Sequence, residues 1–210
     1  MGETLITGIG QGYISSTPLQ LCLMTAHLAN GGFRIKPRIV DDGSISFEDI
    51  KAKIENQLYE TALIPNLNAL EDTEPKFLEP MFRNHENIKF VCDAMYGSTN
   101  ELYGTSYNSR IEDEKYQFAG KTGTSQVKRI TEAEREADLE ISEIPYEERD
   151  HALYVAFGPY KNPRYSVSIL IEHGGTGSST AAPIAKQIFK KVINRHQERE
   201  DIRKKRGQII

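Results

Sequence analysis

Apolar residues follow three spacings along this chain, and each predicts a different element. Between Leu19 and Ala29 they are nearly continuous, so that stretch predicts a buried helix. Thr17 stands where an N-cap belongs, Pro18 suits the first helical position, and Gln20 completes a capping box. Asn30-Gly31-Gly32 accepts positive φ and ends the helix. Upstream, residues 2–16 are rich in Gly, Ser and Thr and read as loop. Downstream, Phe33, Ile35 and Ile39 alternate with Arg34, Lys36 and Arg38, a short strand that Pro37 confines to an edge. Helical spacing returns with Phe47, Ile50, Ile54 and Leu58, which Ser46 and Asp49 would cap, and again with Ile88, Val91, Cys92 and Met95. Gly97-Ser98 should break the latter helix, and Tyr103-Gly104-Thr105 should turn the chain.

Period-two patterns dominate the second half. Residues 117–126 mix aromatic and β-branched positions with small ones, and residues 152–158 and 165–171 are strongly apolar. Asn162-Pro163 marks a hairpin turn between the last two. Three consecutive strands joined this way predict an antiparallel meander with one covered face. Between the first two strands lies an excursion of residues 128–150, in which Thr131 and Glu134 cap a charged helix reaching about Glu140. A final helix from near Pro183 turns Ile184, Ile188, Val192 and Ile193 inward, and the charged tail 197–210 should fray.

Composition narrows the function classes. The chain has 210 residues, 38% hydrophobic and 27% charged, with a formal net charge of -4, which offers no basic face for nucleic acid. No apolar run is long enough to span a membrane, and no secretory leader pattern opens the chain. Cys22 and Cys92 lack metal-ligand spacing, and each sits in an apolar helical pattern, so buried free thiols are expected, with no cofactor and no metal.

The candidate chemistry sits in Gln117-Phe118-Ala119-Gly120-Lys121-Thr122-Gly123-Thr124-Ser125-Gln126. Two glycines inside a strand mark a close approach by a ligand or another backbone. Lys121 supplies charge, and Thr122 and Thr124 supply hydroxyl donors on one face of the strand, a set suited to a carboxylate. A phosphate-binding loop is the competing reading of Gly120-Lys121-Thr122. That loop needs a glycine where Lys115 stands and a helix after the lysine, and neither is present in the pattern.

The flanks extend the motif. Gly8-Ile9-Gly10-Gln11-Gly12-Tyr13 with Thr17-Pro18-Leu19-Gln20-Leu21, then Gly104-Thr105, then Ala119–Val127, Arg149-Asp150-His151-Ala152 and Glu172-His173-Gly174-Gly175 arrive in order. In these segments the chain resembles the transpeptidase domain of class B penicillin-binding proteins, in particular the elongation type, penicillin-binding protein 2. The resemblance implies a partial α/β (α+β) fold of the penicillin-binding-protein and serine β-lactamase kind. In it an antiparallel meander packs with helices, while the first two strands and the nucleophile helix lie upstream. Residues 1–196 would be the C-terminal portion of the transpeptidase domain, with 41–85 inserted. Lys121 would be the catalytic lysine that holds the substrate carboxylate and tunes proton traffic. Thr122, Gly123 and Thr124 would be the substrate-binding residues, and the Thr124 N–H one of two oxyanion donors. Implied partners are peptidoglycan peptide stems, β-lactams, the missing N-terminal part and the cell-elongation machinery, at the periplasmic face of the inner membrane.

Serine acyl transfer in that family uses Ser-x-x-Lys, Ser-x-Asn and Lys-Thr-Gly in that order. Here Ser125-Gln126-Val127-Lys128 spells the first motif, but it follows the lysine-threonine stretch, and strand positions i and i+3 point to opposite faces. Ser98-Thr99-Asn100 and Ser106-Tyr107-Asn108 spell the second motif too close before Lys121. The chain is therefore expected to carry the clamping strand of a D,D-transpeptidase without its nucleophile and to be inactive alone. The rival is a non-catalytic module that binds peptide or partner without turnover. His151 and His173 receive no catalytic role, and His173 is expected in a structural turn.

Overall fold

The computed structural model describes residues 2–8, 10, 12, 14–35, 37, 80–128 and 140–207. In chain order the helices are α1 (Gly2–Gly8), α2 (Pro18–Ala29), α3 (His85–Asn100) and α4 (Ala182–Gly207). The strands are β1 (Ala119–Ser125), β2 (His151–Gly158) and β3 (Tyr165–Ile171). The expected helices over 46–58 and 131–140 lie outside the described residues.

The three strands form an antiparallel meander in the order β1-β2-β3, with Thr122 opposite Tyr154 and Tyr154 opposite Ile169. Because opposed residues point to the same side, Phe118, Tyr154, Ala156, Ala152 and Ile169 make one apolar face. Helix α4 and the π-helical turn Gly177–Ala181 before it cover that face with Ala181, Ala182, Ala185, Phe189 and Ile193. The alanines keep the helix backbone close to the sheet, and Phe189 fills the space beyond them, stacked on Phe118 with ring centroids 4.9 Å apart.

The opposite face is covered too, which corrects the expectation of a single covered face. Ala119 and Phe157 pack with Met95 of α3 and with Leu28 and Ala29 of α2. Cys22 of α2 lies over β3, its sulfur 3.3 Å from the Ser166 hydroxyl oxygen. The alternation of β2 explains this: its second face carries Val155 and Phe157, which are too apolar to leave in water.

Helix α2 begins as the sequence predicts. The Thr17 hydroxyl accepts from Gln20 N–H at 3.2 Å, and Gln20 Oε1 accepts from Thr17 N–H at 2.8 Å. It is less buried than its composition suggests, with Leu19 66% and Met24 45% exposed. Residues 2–8 are helical rather than loop; the two end glycines bound a run with no helix breaker inside it. Of the expected strand from Phe33, the described residues show a bridge between Phe33 and Pro80, and residues 36, 38 and 39 lie outside the described residues. Helix α3 passes through Gly97-Ser98 to Asn100, and its inner face is Ile88, Met95 and Thr99, while Val91 is exposed. Helix α4 does not fray at Gln197 but continues to Gly207. Its buried line is Ala185, Phe189 and Ile193, with Ile184, Ile188 and Val192 half-buried at the sides. Both cysteines are free and half-buried rather than fully buried. The Cys92 thiol donates to Leu28 O, and burial, then the nearby Asp93 carboxylate, push it up to about 11.

Phe189 is fully buried between sheet and helix. Phe189→Ala should lower unfolding free energy by about 3–5 kcal/mol, read by urea denaturation followed by circular dichroism. A loss below about 1 kcal/mol would mean that α4 does not hold the sheet.

Candidate active site

Strand β1 is buried at its start and exposed where its polar residues stand. Phe118 and Ala119 are buried in the two cores, and the chain emerges at Lys121. Among the described residues it is an edge strand of the sheet, so one side of its backbone faces away from β2.

Gly120 is the pivot. A Cβ there would lie 2.3 Å from the Tyr154 hydroxyl oxygen, a distance no side chain can occupy. The close approach expected at this glycine is thus made by a core tyrosine of the neighbouring strand. The Tyr154 oxygen lies 3.0 Å from the Thr99 hydroxyl and 3.0 Å from the Ser106 hydroxyl, all three buried. Burial pushes the Tyr154 phenol up, and the bonds to Ser106 and Thr99 pull it part of the way back, so it stays a neutral donor and acceptor.

Ser106 Oγ also donates to Ser98 O at 3.0 Å, which ties the loop after α3 to the helix end. A Cβ on Gly104 would sit 2.3 Å from that same Ser98 carbonyl, so only glycine lets the loop fold this tightly. The loop thereby delivers Thr105 to the strand edge. Its hydroxyl lies 3.4 Å from the Thr122 hydroxyl and 3.2 Å from that of Ser98. Lys121 Nζ donates to Thr122 O at 3.0 Å and to Thr122 Oγ1 at 3.2 Å. An exposed ammonium and three hydroxyls therefore converge on one edge, and among the described residues no carboxylate pairs with Lys121. Thr124 shares the Thr122 face two residues on and is exposed. Gly123 packs against the turn after β3: a Cβ on Gly177 would be 2.8 Å from Gly123 O.

Beyond Ser125 the strand is held by the Arg149-Asp150-His151 segment. Asp150 Oδ1 accepts from Val127 N–H at 3.1 Å, and Asp150 O accepts from Gly175 N–H at 2.8 Å. His173 has φ 54, donates its N–H to His151 Nδ1 at 2.9 Å, and its ring bonds Arg149 O at 3.1 Å. These contacts put His173 in the turn after β3, where it bonds His151 at the start of β2 and braces the strand end.

Residues of the serine motifs have partners of their own in the fold. Lys128 pairs with Glu148 at 2.6 Å, and Ser125 stands opposite His151 at the strand end. Asn100 donates to Tyr96 O and Phe118 O, joining α3 to β1. Sequence reasoning placed Gly104-Thr105 in a turn and among the ordered family segments, but missed that Thr105 bridges the Thr122 and Ser98 hydroxyls.

The site is thus an edge strand with a lysine-threonine-glycine sequence, backed by a meander and a C-terminal helix. The family profile described as the penicillin binding protein transpeptidase domain matches residues 2–190, and the chain belongs to that family. It is 31% identical over 193 residues to peptidoglycan D,D-transpeptidase MrdA of Haemophilus influenzae, covering 92% of this chain and 26% of that protein. The same-named protein of Salmonella typhimurium is 33% identical over 188 residues, covering 90% and 26%. Among solved structures, PBP2 of Pseudomonas aeruginosa in complex with WCK 5153 superposes with a TM-score of 0.60 at 31% identity, over 90% of this chain and 33% of that one. PBP2 of Helicobacter pylori in complex with MreC gives 0.62 at 27% identity, over 92% and 28%. The chain therefore spans about a quarter of the length of the curated relatives it matches. Among the described residues no helix is long and apolar enough to cross a membrane.

Gly120→Ala should force β1 away from Tyr154 and cost about 1–3 kcal/mol of stability by chemical denaturation. Pairing it with Tyr154→Phe should recover part of that loss; no recovery would mean the strain lies elsewhere.

Proposed function

We propose that this chain is the substrate-clamping portion of a peptidoglycan D,D-transpeptidase of the PBP2 type, working by serine acyl transfer with a nucleophile carried upstream. What supports the reading most is the meeting of the Lys121 ammonium with the Thr122 and Thr105 hydroxyls on an exposed edge strand. A peptide carboxylate or a β-lactam carboxylate placed there would be met by one positive charge and by hydroxyl donors, the stronger, charge-assisted kind of hydrogen bond. Thr124 would extend the clamp, and its N–H would serve as an oxyanion donor. Gly123 would let the acyl group lie flat against the strand. Lys121, set within reach of the incoming serine, would steady the proton removed from it.

The outer edge of β3 has no strand beside it among the described residues, and exposed Leu170 adjoins it. Upstream strands of the same protein would complete the sheet there, and residues 1–196 would count as the C-terminal portion of that single domain. By analogy with the MreC complex of the Helicobacter pylori protein, the assembled enzyme would serve the cell-elongation machinery at the periplasmic face of the inner membrane.

Intact-mass spectrometry after incubation with a penicillin tests the reading. The 210-residue chain alone should gain no adduct, and the chain joined to its upstream part should gain one. In the joined protein Thr122→Val should slow acylation roughly 10- to 100-fold, the loss expected for one hydrogen bond to a charged group. An adduct on the chain alone, abolished by replacing one serine, would overturn the division of labour. Unchanged acylation by the Thr122 variant would remove the clamp.

A further inference from the structure

Ser98 belongs to the Ser98-Thr99-Asn100 string, which spells a family motif out of its place, and the fold gives its hydroxyl a different setting. It stands in the last turn of α3, half-buried, with its backbone fixed. Ser98 O accepts from both the N–H and the hydroxyl of Ser106, each at 3.0 Å. A serine inside a helix ordinarily points to solvent or turns its hydroxyl back to the carbonyl four residues before. The next two residues reach back in that way: Thr99 donates to Met95 O at 3.4 Å and Asn100 to Tyr96 O at 3.0 Å. The Ser98 hydroxyl instead meets that of Thr105 at 3.2 Å, its one hydrogen-bond partner among the described residues.

Ser98 is thereby the far end of a row that runs to the clamp. Thr105 Oγ1 lies 3.4 Å from Thr122 Oγ1, and Lys121 Nζ donates to Thr122 Oγ1 at 3.2 Å. Each hydroxyl has one proton and two lone pairs, and the ammonium can only donate. The ammonium therefore fills a lone pair of Thr122 and leaves the Thr122 proton to point elsewhere. A carboxylate on the exposed edge sets the direction of the whole row. Thr122 and Thr105 both give it their protons, because bonds to a charged acceptor are the stronger ones. Thr105 Oγ1 then has only lone pairs for its neighbours, and Ser98 is a donor beside it. A hydroxyl that accepts a hydrogen bond becomes a better donor, so the row strengthens as a unit.

We infer that Ser98 is a positioning residue of the clamp: its hydroxyl donates to Thr105 when a carboxylate is bound and so aims the Thr105 proton at that carboxylate. The inference rests on the clamp reading given above. Ser98 itself does not touch the carboxylate. Its effect falls on how tightly the carboxylate is held before reaction, and not on the acyl-transfer step.

The test uses the chain joined to its upstream part, benzylpenicillin with its free carboxylate, and the methyl ester of the same compound. Intact-mass kinetics gives the second-order acylation constant for each and, for the acid, separates binding from the limiting rate. Ser98→Thr keeps the hydroxyl, and Ser98→Val puts a methyl in its place at the same shape. The unaltered protein should react faster with the acid than with the ester. Ser98→Val should slow the acid reaction roughly 3- to 10-fold, the worth of one neutral hydrogen bond, through weaker binding at an unchanged limiting rate. The ester rate should not move, and Ser98→Thr should keep the original rate with both compounds. On a Thr105→Val background Ser98→Val should cost nothing further, because the row is already cut. An unchanged acid rate in Ser98→Val, an equal loss with acid and ester, or an additive loss on the Thr105→Val background would overturn the role of Ser98 and leave the clamp standing. Equal rates with acid and ester in the unaltered protein would overturn the clamp, and the role of Ser98 with it.

Discussion

The hydroxyl of Tyr154, held beneath Gly120 by Thr99 and Ser106, is the contact on which the clamp depends. It joins four parts of the chain: strand β2, strand β1 through the glycine, helix α3 through Thr99, and the following loop through Ser106. A buried hydroxyl trio of this kind is stable only when each member finds a partner, and the cost of leaving one unpaired makes the arrangement close to all-or-none. The position of Thr105 against Thr122 follows from it, because Ser106 fixes the loop one residue away.

The sheet shows how a reactive edge is made on a rigid body. Both faces of the meander are covered near the start of β1, by α4 on one side and by α2 and α3 on the other. The cover stops at Lys121, where the polar residues begin. Past Ser125 the strand is tied down again by Asp150 and the histidine turn. Lys121 and the threonines are thus suspended between two anchored ends, which limits the ordering they must undergo when a carboxylate arrives.

Much of this was legible in the sequence. The capping box at Thr17, the three strands, the hairpin at Asn162-Pro163 and the lysine-threonine edge each depend on residues close in sequence, and local chemistry was enough to find them. The serine motifs were set apart by chain order and strand geometry, and in the fold Lys128 of the first of them pairs with Glu148. Helix ends were less legible. Gly97-Ser98 carries breaker residues, yet α3 continues because Gly97 is buried and Thr99 just beyond them bonds Tyr154. The charged stretch after Gln197 stays helical as a continuation of a helix whose first half is packed on the sheet.

By itself the sequence determined the alternation of elements, the edge chemistry of β1 and the family to which the chain belongs, because period, caps and ordered motifs are one-dimensional properties. Only the tertiary structure decided what fills the space over Gly120, that both sheet faces are covered, and that Thr105 lies beside Thr122. Those outcomes depend on contacts between residues tens of positions apart, and the packing of side chains against one another, not any local preference, selects among them.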